Sequence, residues 1–299
     1  MAQIVRLESV YQFNTIRGQK TLHPMVTILD QTKSKPVVPG IYLSDLYIVF
    51  FKDVRCESFK YGKSKYDHQE ESLVFIGPGQ TFGLEPGTPP IQPNGWALAF
   101  HPDFIASSNL FNNLSKYSFF SYDLNEALHV SEREKHIIVD CFKKIVDELK
   151  QNTDAHSKTL ILSYIELLLN YCIRFYERQF IMRKSLNTDI LTQFENLLNE
   201  YFTSELILQS GMPTVKYCAS RLHLSTNYFS DLLKKETGIT AQEFIHKKLI
   251  QLARIKLADP SQSISEIAYS LGFKYPSHFT KLFKQKKRKS RCNLAFSFH

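Results

Sequence analysis

The stretch from residue 214 to residue 283 repeats one apolar pattern twice, and no other feature of the chain constrains the fold as strongly. The two copies share one spacing, except for a residue inserted between Phe273 and Phe279. A turn between two helices absorbs one residue without disturbing either helical register, so we predict two helix-turn-helix units in tandem. The apolar positions are Val215, Cys218, Ala219, Leu222, Leu224, Phe229, Leu232 and Leu233 in the first copy, and Ile264, Ile267, Ala268, Leu271, Phe273, Phe279, Leu282 and Phe283 in the second.

Capping residues mark the ends of the predicted helices. A Ser or Thr hydroxyl accepts a backbone N–H left unpaired at a helix start, and a Glu three residues later completes a capping box. Gly238 is expected to end the second helix of the first copy. A connecting helix is then predicted from about Thr240 to Asp259, about 30 Å long, and Pro260 closes it. The caps and boxes are Thr214, Ser225, Thr240 with Glu243, and Ser263 with Glu266.

Two segments of this region, TVKYCASRLHLSTNYFSDLLKKETG and SISEIAYSLGFKYPSHFTKLFK, resemble the AraC/XylS transcriptional regulators. The resemblance covers residues 214–283, with both half-motifs in order and a connecting helix of the right length. It implies sequence-specific binding to double-stranded DNA and no catalytic activity. The alternative is a small helical bundle, in which the same repeats only build a core.

Charge distribution favours a polyanionic partner for the C-terminal end. Residues 211–299 contain 16 Lys or Arg and 5 Asp or Glu, a net charge of +11, whereas the whole chain carries +8. The first 210 residues therefore total −3. Cations that neutralise phosphates release counterions, which drives binding to nucleic acid. An acidic protein partner is the alternative.

The apolar stripe determines which face of the second helix of each copy is free to contact DNA. Phe229, Leu232 and Leu233 must face the core, which leaves the opposite face exposed. The resemblance places groove contacts on that face, and Lys234 suits a phosphate. Asn suits adenine, Asp accepts from cytosine and Lys suits guanine; a solvated surface role is the alternative for each. The DNA-binding candidates are Asn227, Ser230, Asp231 and Lys234 in the first copy, and Ser277, His278, Thr280 and Lys281 in the second.

The first hundred residues predict a small β-barrel or sandwich, which makes the whole chain α+β. Eight of the 11 glycines and eight of the 12 prolines lie there. They separate short β-rich runs, with turns expected at Pro78-Gly79, Pro86-Gly87 and Asn94-Gly95. The segment WALAFHPDF resembles a cupin-like sensing barrel. The β-rich runs are MVTIL, IYLSDLYIVFF, SLVFIG and WALAF.

The barrel does not have the residue pattern of a metal enzyme. His23, His68 and His101 stand alone, and Gln80 occupies a position after GPG where a His is often found. Isolated imidazoles give no coordination sphere, so we expect no metal and no cofactor. Aromatic residues could line a ligand cavity, although alternation along strands favours core packing for most of them. They are Tyr42, Tyr47, Phe50, Phe51, Phe75 and Phe82.

From Ser131 the pattern becomes helical. Ser131 with Glu134 predicts a capping box for a helix to about Gln151, and Asp154 is expected to cap a longer helix to about Phe180. The apolar face of the longer helix is wider than one neighbour needs, so we expect part of it to pair in a C2 homodimer, as the resemblance also implies. The alternative is that the barrel and the first helix cover it completely. The apolar residues are Leu160, Ile161, Tyr164, Leu167, Leu168, Tyr171, Cys172 and Phe175.

The expected domain organisation has three parts. Residues 1–184 form a cupin-like sensing and dimerisation domain with a helical hairpin, 185–213 form a connector helix and linker, and 214–299 bind DNA. Gly211 and Pro213 mark the last boundary. The connector is the natural hinge through which a sensor acts on a DNA reader.

The end of the chain departs from the AraC/XylS pattern. After Phe283 that pattern continues with a Gly, a Thr-Pro or Ser-Pro pair and an aromatic-Arg pair, whereas this chain has KQKKRKSRCNLAFSFH. Six of the eight residues from Lys284 to Arg291 are basic, a run too repulsive for a well-formed helix. The second copy is therefore expected to be less stable than the first.

The sequence as a whole predicts a homodimeric transcription activator. Five widely separated cysteines, with no export signal and no membrane span, indicate a cytoplasmic protein. Double-stranded DNA is the expected partner, with RNA polymerase and an unidentified small-molecule effector as further candidates. Two alternatives remain: a cupin-type metal enzyme with an appended nucleic-acid module, and a non-specific architectural DNA-binding protein.

Overall fold

The computed structural model describes residues 4–52, 60–61, 64–65, 71–84, 86–106, 108–123, 126–151, 154, 156–182, 184–257 and 262–295. The chain forms two compact units, Met1–Met182 and Arg183–His299. The first contains both β-sheets and the second is helical, so the predicted mixed α+β class is confirmed.

The first unit begins with β1 (Ile4–Leu7), α1 (Val10–Ile16), β2 (Val26–Asp30), β3 (Gly40–Ser44), β4 (Tyr47–Lys52), β5 (Lys60–Tyr61), β6 (Ser64–Lys65), β7 (Ser72–Ile76), β8 (Thr81–Leu84) and β9 (Gly95–Phe100). It continues with α2 (Pro102–Ile105), α3 (Asn109–Asn113), β10 (Leu128–His129), α4 (Glu132–Lys150) and α5 (Ser157–Met182). All four predicted β-rich runs contain strands.

The strands of the described residues form two five-stranded sheets, in the orders β1-β3-β8-β5-β6 and β10-β7-β4-β9-β2. Strand β4 lies between β7 and β9 and pairs antiparallel with both. In this register Val49 lies opposite Phe75 of β7 and Leu98 of β9. Its run of buried apolar residues suits a strand that is covered on both faces. Strand β1 pairs parallel to β3.

Two of the predicted turns are present. Gly79 has φ +84° and Gly87 has φ +88°, a left-handed region that glycine adopts without a steric cost. At the third site Gly95 begins β9, and its N–H donates to Asn94 Oδ1 at 2.9 Å.

The helical hairpin of the first unit begins as its caps predict. The Ser131 hydroxyl accepts the Glu134 N–H, and the Glu134 carboxylate accepts the Ser131 N–H at 2.8 Å. Asp154 Oδ1 accepts the N–H groups of His156 and Ser157 at 2.7 and 2.9 Å, which caps α5. Helices α4 and α5 pack against each other, and the hairpin also packs on β2, β9 and β10.

The second unit contains α6 (Lys184–Thr203), α7 (Leu206–Ser210), α8 (Val215–Arg221), α9 (Thr226–Thr237), α10 (Ala241–Leu257), α11 (Ile264–Ser270) and α12 (Pro276–Ala295). Helices α8 and α9 form the first reading unit, α11 and α12 the second, and α10 connects them. The tandem arrangement is thus confirmed. The end of the connecting helix, including Asp259 and Pro260, lies outside the described residues.

All four predicted helix starts of this unit are confirmed. The hydroxyls of Thr214 and Ser225 accept the N–H groups of the third residue of α8 and α9. The boxes Thr240–Glu243 and Ser263–Glu266 each make both of their hydrogen bonds. Gly238 ends α9 with φ +72° and donates its N–H to Lys234.

Residues 185–213 contribute side chains to the core of the second unit. Phe194 and Leu198 of α6 are fully buried there, and Ile207 of α7 is 2% exposed. They share one apolar cluster with residues of both reading units. Helix α6 packs against α9 and α10, and α7 packs against α11.

Two expectations about the second copy are corrected by the structure. Ile264 is 57% exposed at the first position of α11, so it does not belong to the buried pattern. Helix α12 also continues to Ala295 through the basic run, which was expected to be too repulsive. Lys, Arg and Gln are good helix formers, and like-charge pairs cost only about 0.2–0.5 kcal/mol each. Phe296 and Phe298 lie outside the described residues.

Candidate nucleic-acid interface

Each reading unit turns between its two helices on a residue with positive φ. His223 has φ +57° in the first unit, and Gly272 has φ +79° at the matching place in the second. The left-handed residue reverses the chain direction so that the N–H groups of Leu224 and Phe273 reach back to the carbonyls of Ala219 and Ala268, both at 3.0 Å. The two turns are therefore built in the same way, from different residue types.

Helix α9 separates a buried face from a polar face. Phe229, Leu232 and Leu233 are fully buried, as the apolar stripe predicts. Asn227 and Lys234 are exposed on the opposite face, and Ser230 and Asp231 lie half-buried between them. At 100° per residue these four side chains fall within about 100° of one another around the helix. The structure thus gathers all four first-copy candidates on one face.

Helix α12 repeats this arrangement over its first turns. Phe279 is 2% exposed and packs edge to face on Phe273, with ring centroids 5.4 Å apart. Ser277 and Lys281 are exposed on the opposite face, and Thr280 is half-buried there. These positions match Asn227, Asp231 and Ser230 of α9 when the two buried Phe residues are aligned.

The same alignment identifies a residue that sequence reasoning did not include among the candidates. Lys284 occupies the place in α12 that Lys234 occupies in α9, and its side chain is exposed. The signal was the seven-residue spacing from Ser277, which returns to the same helical face after two turns. In the sequence, Lys284 belongs to the basic run after Phe283, where the chain departs from the AraC/XylS pattern.

His278 lies to one side of this face. Its counterpart in α9 is Tyr228, which is 4% exposed, whereas His278 is exposed. The His278 ring meets Tyr275 edge to face at 5.5 Å, and Tyr275 is itself 62% exposed in the turn before α12. Tyr275 is a second residue that the apolar pattern did not identify, because a turn residue has no helical periodicity.

Two of the polar side chains donate to their own helix. The Ser230 hydroxyl donates to the Thr226 carbonyl at 2.7 Å, and the Thr280 hydroxyl donates to the Pro276 carbonyl at 3.0 Å. Such bonds use the hydroxyl proton and leave the oxygen lone pairs as acceptors. In this state Ser230 and Thr280 present acceptors to a ligand, while Asn227 and Lys281 present donors.

The predicted histidines of the first unit have local structural roles where the structure describes them. His23 Nδ1 accepts the Met25 N–H at 3.1 Å, and His101 Nδ1 accepts the Asp103 N–H at 3.2 Å to cap α2. His68 lies outside the described residues. Within the described ranges, no group of three or more His, Cys, Asp or Glu residues is placed to hold a metal ion. No described helix is long and apolar enough to cross a membrane.

Comparison with known proteins gives a family match for the second unit. Residues 218–290 match the family described as "Helix-turn-helix domain". The chain is 27% identical over 147 residues to the uncharacterized HTH-type transcriptional regulator YtdP of Bacillus subtilis, covering 46% of this chain and 18% of YtdP. It is 26% identical over 136 residues to the HTH-type transcriptional activator RhaS of Citrobacter koseri, covering 45% and 46%. It is 29% identical over 121 residues to RhaS of Salmonella schwarzengrund, covering 40% and 41%.

The chain thus spans less than half of the length of these three relatives. Among solved structures, it is similar to the C-terminal domain of the response regulator yesN from Fusobacterium nucleatum, with a TM-score of 0.30, 25% identity and coverage of 33% of this chain and 91% of that one. It is also similar to ToxT from Vibrio cholerae, with a TM-score of 0.26, 14% identity and coverage of 87% and 92%. These TM-scores are too low for either likeness to bear on the fold.

The family match and the geometry describe the same segment of the chain. Residues 218–290 contain most of α8, all of α9, α10 and α11, and most of α12, which are the elements of the tandem pattern. The relatives named above are described as regulators or activators of transcription. The chain therefore carries a helix-turn-helix domain of the AraC/XylS type, as the resemblance implied.

Proposed function

We propose that this protein is a sequence-specific DNA-binding transcription regulator that acts as an activator. The observation that carries the proposal is the pair of polar helix faces on α9 and α12, each opposite a buried face of the same apolar cluster. A helix with short polar side chains near its N-terminus and Lys farther along suits base edges first and phosphates second. The net charge of +11 over residues 211–299 supplies the attraction to the duplex.

Each protomer is proposed to read two adjacent major grooves. The described part of α10 has 17 residues, which corresponds to about 25 Å. With the turns at its two ends, this length suits reading helices separated by one DNA turn, about 34 Å. Selection of bound sites from random DNA, followed by footprinting, tests the proposal. We expect a defined motif with two protected grooves per protomer and a preference of about a thousandfold or more over random DNA.

A different outcome of that selection would favour a different class of protein. Equal affinity for all sequences is the property of an architectural DNA-binding protein, which uses phosphate contacts alone. Protection of a single groove per protomer would mean that α12 does not engage DNA. RNA polymerase is the proposed partner of the DNA-bound activator, and the cytoplasm is its proposed location.

Replacing Asn227 with alanine tests base reading directly. We expect Asn227→Ala to relax the sequence preference at one base position and to weaken operator binding by about 1–3 kcal/mol, because an adenine contact is lost. Fluorescence anisotropy with the selected operator and its single-base variants measures both effects. Thr226, exposed beside Asn227, offers a control in Thr226→Ala.

Lys234→Ala is the matched variant for phosphate contact on the same helix. It should weaken binding to all DNA sequences by the same factor and lower the slope of log affinity against log salt concentration by about 1. Uniform weakening by Asn227→Ala, or a base-specific effect of Lys234→Ala, would show that the roles of the two side chains are assigned wrongly.

The first unit is proposed to hold the dimer contact and a cupin-like sensing barrel. On α5, Leu160 and Leu167 are 42% and 45% exposed, although Ile161 and Leu168 beside them are buried. With the half-buried Tyr164 and Tyr171, the exposed leucines make an apolar stripe at helical spacing. The same stripe on a second copy gives a self-complementary C2 contact.

Placing a charge on this stripe should separate the dimer. We expect Leu167→Glu to convert a dimer at micromolar concentration into a monomer, because each carboxylate is buried against its symmetry mate. Gln151→Glu places the same group at an exposed site after α4 and should leave the dimer intact. Sedimentation velocity measures both. A wild-type chain that sediments only as a monomer would remove the dimer from the proposal.

The proposed roles follow the chain in order. Sensing and dimerisation belong to residues 1–184, connection to 185–213 and DNA binding to 214–299. The DNA-binding side chains of the proposal are Asn227, Ser230, Asp231, Lys234, Ser277, His278, Thr280 and Lys281, with Lys284 added from the alignment of the two copies.

A further inference from the structure

A cavity of about 180 Å³ lies within the first unit. Its walls come from α1 and from strands β3, β4 and β8, and its roof comes from two loops. The loops are joined by a pair of backbone hydrogen bonds between Val37 and Ile91, at 2.8 and 2.9 Å. The side chain of Gln92 reinforces the roof, since its Nε2 donates to the Gln31 carbonyl at 2.6 Å. The aromatic residues of the wall are Phe13, Tyr42, Phe50 and Phe82.

Arg17 lines this cavity at the end of α1 and is only 6% exposed. Its Nη2 reaches the neutral Gln31 Oε1 at 3.5 Å, a long contact, and its buried Nη1 has no hydrogen-bond partner in the described part of the chain. Burial lowers the pKa of the guanidinium, an effect that nearby Tyr42 opposes. The group nevertheless stays charged at neutral pH.

Among the lining residues that the structure describes, no anion balances this cation. None of them is Asp or Glu, and Lys52, which makes an interaction of its own, adds a second positive charge. A buried cation without a carboxylate or phosphate partner is unfavourable in the empty protein. A guanidinium with a free N–H also matches a carboxylate in charge and in planar geometry.

The size and the wall composition limit the ligand. An apolar cavity of about 150 Å³ holds benzene, so a cavity of about 180 Å³ holds a six-carbon apolar body with a small polar group. The aromatic wall suits such a body, and Arg17 suits an acidic group. The cavity surface is mainly apolar, which disfavours a sugar or a nucleotide, because their many hydroxyl or phosphate groups need polar partners on all sides.

We propose that the cavity binds a small monocarboxylate with an apolar body of about six carbons, aromatic or aliphatic, and that Arg17 holds its carboxylate. The ligand would be the effector of the proposed regulator. It therefore deepens the ligand response in the proposed function, but its test needs no DNA. If no ligand binds, the proposal of DNA binding still stands, and if the selection from random DNA yields no motif, the proposal of a ligand site still stands.

Calorimetric titration of the full chain with benzoate and with hexanoate tests the proposal. At least one acid should bind in a one-to-one ratio and raise the melting temperature as its concentration increases. The neutral isosteres benzamide and hexanamide should bind about tenfold more weakly or worse, because the charged hydrogen bond is lost. Amides that bind as tightly as the acids would mean a purely apolar site and would overturn the proposal, as would no binding by either acid.

Arg17→Met separates a ligand contact from a structural role. We expect it to reduce acid affinity about tenfold or more and to raise the melting temperature of the empty protein, because an unpaired buried charge is removed. Lys35→Met removes an exposed cation from the nearby loop and should change neither quantity. If Arg17→Met fails to fold, or melts lower and still binds the acid, Arg17 is a structural cation and the proposal is wrong.

Discussion

Phe194→Ala should lower the free energy of unfolding of the second unit by about 3–5 kcal/mol, the usual cost of deleting a fully buried aromatic side chain. Phe194 belongs to α6, before the helix-turn-helix region, and it has no solvent exposure. Its ring packs edge to face on Phe229, with ring centroids 5.0 Å apart, and its centroid lies 5.1 Å from that of Phe244. Phe194 therefore contacts both α9 and the connecting helix α10. Its loss leaves a cavity between three helices.

The measurement is chemical denaturation of the full chain, followed by a probe of helix content. Gln193→Ala is the matched control, since Gln193 precedes Phe194 on the same helix and is exposed. We expect the control to stay within about 0.5 kcal/mol of the wild type. Equal effects of the two variants would mean that α6 does not belong to the core of the DNA-binding unit.

Operator affinity should fall with Phe194→Ala although the residue is far in sequence from every candidate DNA contact. Asn187 of α6 also donates to Glu236 of α9 at 2.7 Å, so the helix holds the first reading unit at two levels. A hinge proposed within residues 185–213 must therefore operate without separating α6 from α9.

The sequence predicted the reading units well because their signals are local. A cap acts over three residues and an apolar stripe over a few turns, so Thr214, Ser225, Ser263 and Gly238 could be assigned without knowing any distant contact. The face that carries Asn227 and Lys234 followed from the same stripe. These elements needed no tertiary information.

The packing of α6 could not be predicted in the same way. Its periodicity indicates a buried face, but periodicity does not name the partner that buries it. The sequence therefore predicts a connector for this segment, whereas in the structure Phe194 and Leu198 are part of the core shared with the two reading units. Gly211 likewise marked a boundary in the sequence, while in the structure its carbonyl accepts the Tyr201 hydroxyl at 3.0 Å.

The burial of Arg17 is a second feature that the sequence alone did not predict. Most arginines are exposed, and nothing in the residues around Arg17 distinguishes it from a surface cation. Its burial depends on loops that come from more than ten and more than seventy residues farther along the chain. The aromatic residues of the cavity wall were recognised as possible lining, but the charge that gives the cavity a chemical preference was not.

Gly272→Ala should disrupt the second reading unit, because the added methyl group has no room. A Cβ on Gly272 would lie 2.7 Å from the Ile207 carbonyl oxygen, 2.8 Å from Ile207 Cγ1 and 3.1 Å from Gly211 Cα. Two of these atoms are backbone, so neither a rotamer change nor a flexible side-chain end relieves the contact. The close approach fixes the turn between α11 and α12 against the end of α7.

Gly238→Ala isolates the backbone contribution to this effect. Gly238 has φ +72°, close to the +79° of Gly272, but an added Cβ meets no atom within 4 Å. Gly238→Ala should lower the free energy of unfolding by about 1–2 kcal/mol, because alanine is strained in the left-handed backbone conformation. Gly272→Ala should cost about 3 kcal/mol or more, since overpacking of about 1–3 kcal/mol adds to the same strain.

Hydrogen exchange and DNA footprinting together show which part of the second unit is disrupted by Gly272→Ala. Ile207 and Gly211 contact the second reading unit at its turn, so we expect α11 and α12 to lose amide protection before α9 does. The footprint should then contract from two grooves to one per protomer, and affinity should fall because the proposed groove contact of Lys281 and the proposed phosphate contact of Lys284 are lost. Gly238→Ala should keep both grooves protected. A two-groove footprint with Gly272→Ala at wild-type affinity would show that the turn tolerates the methyl group and that the contact with α7 does not position α12 on DNA.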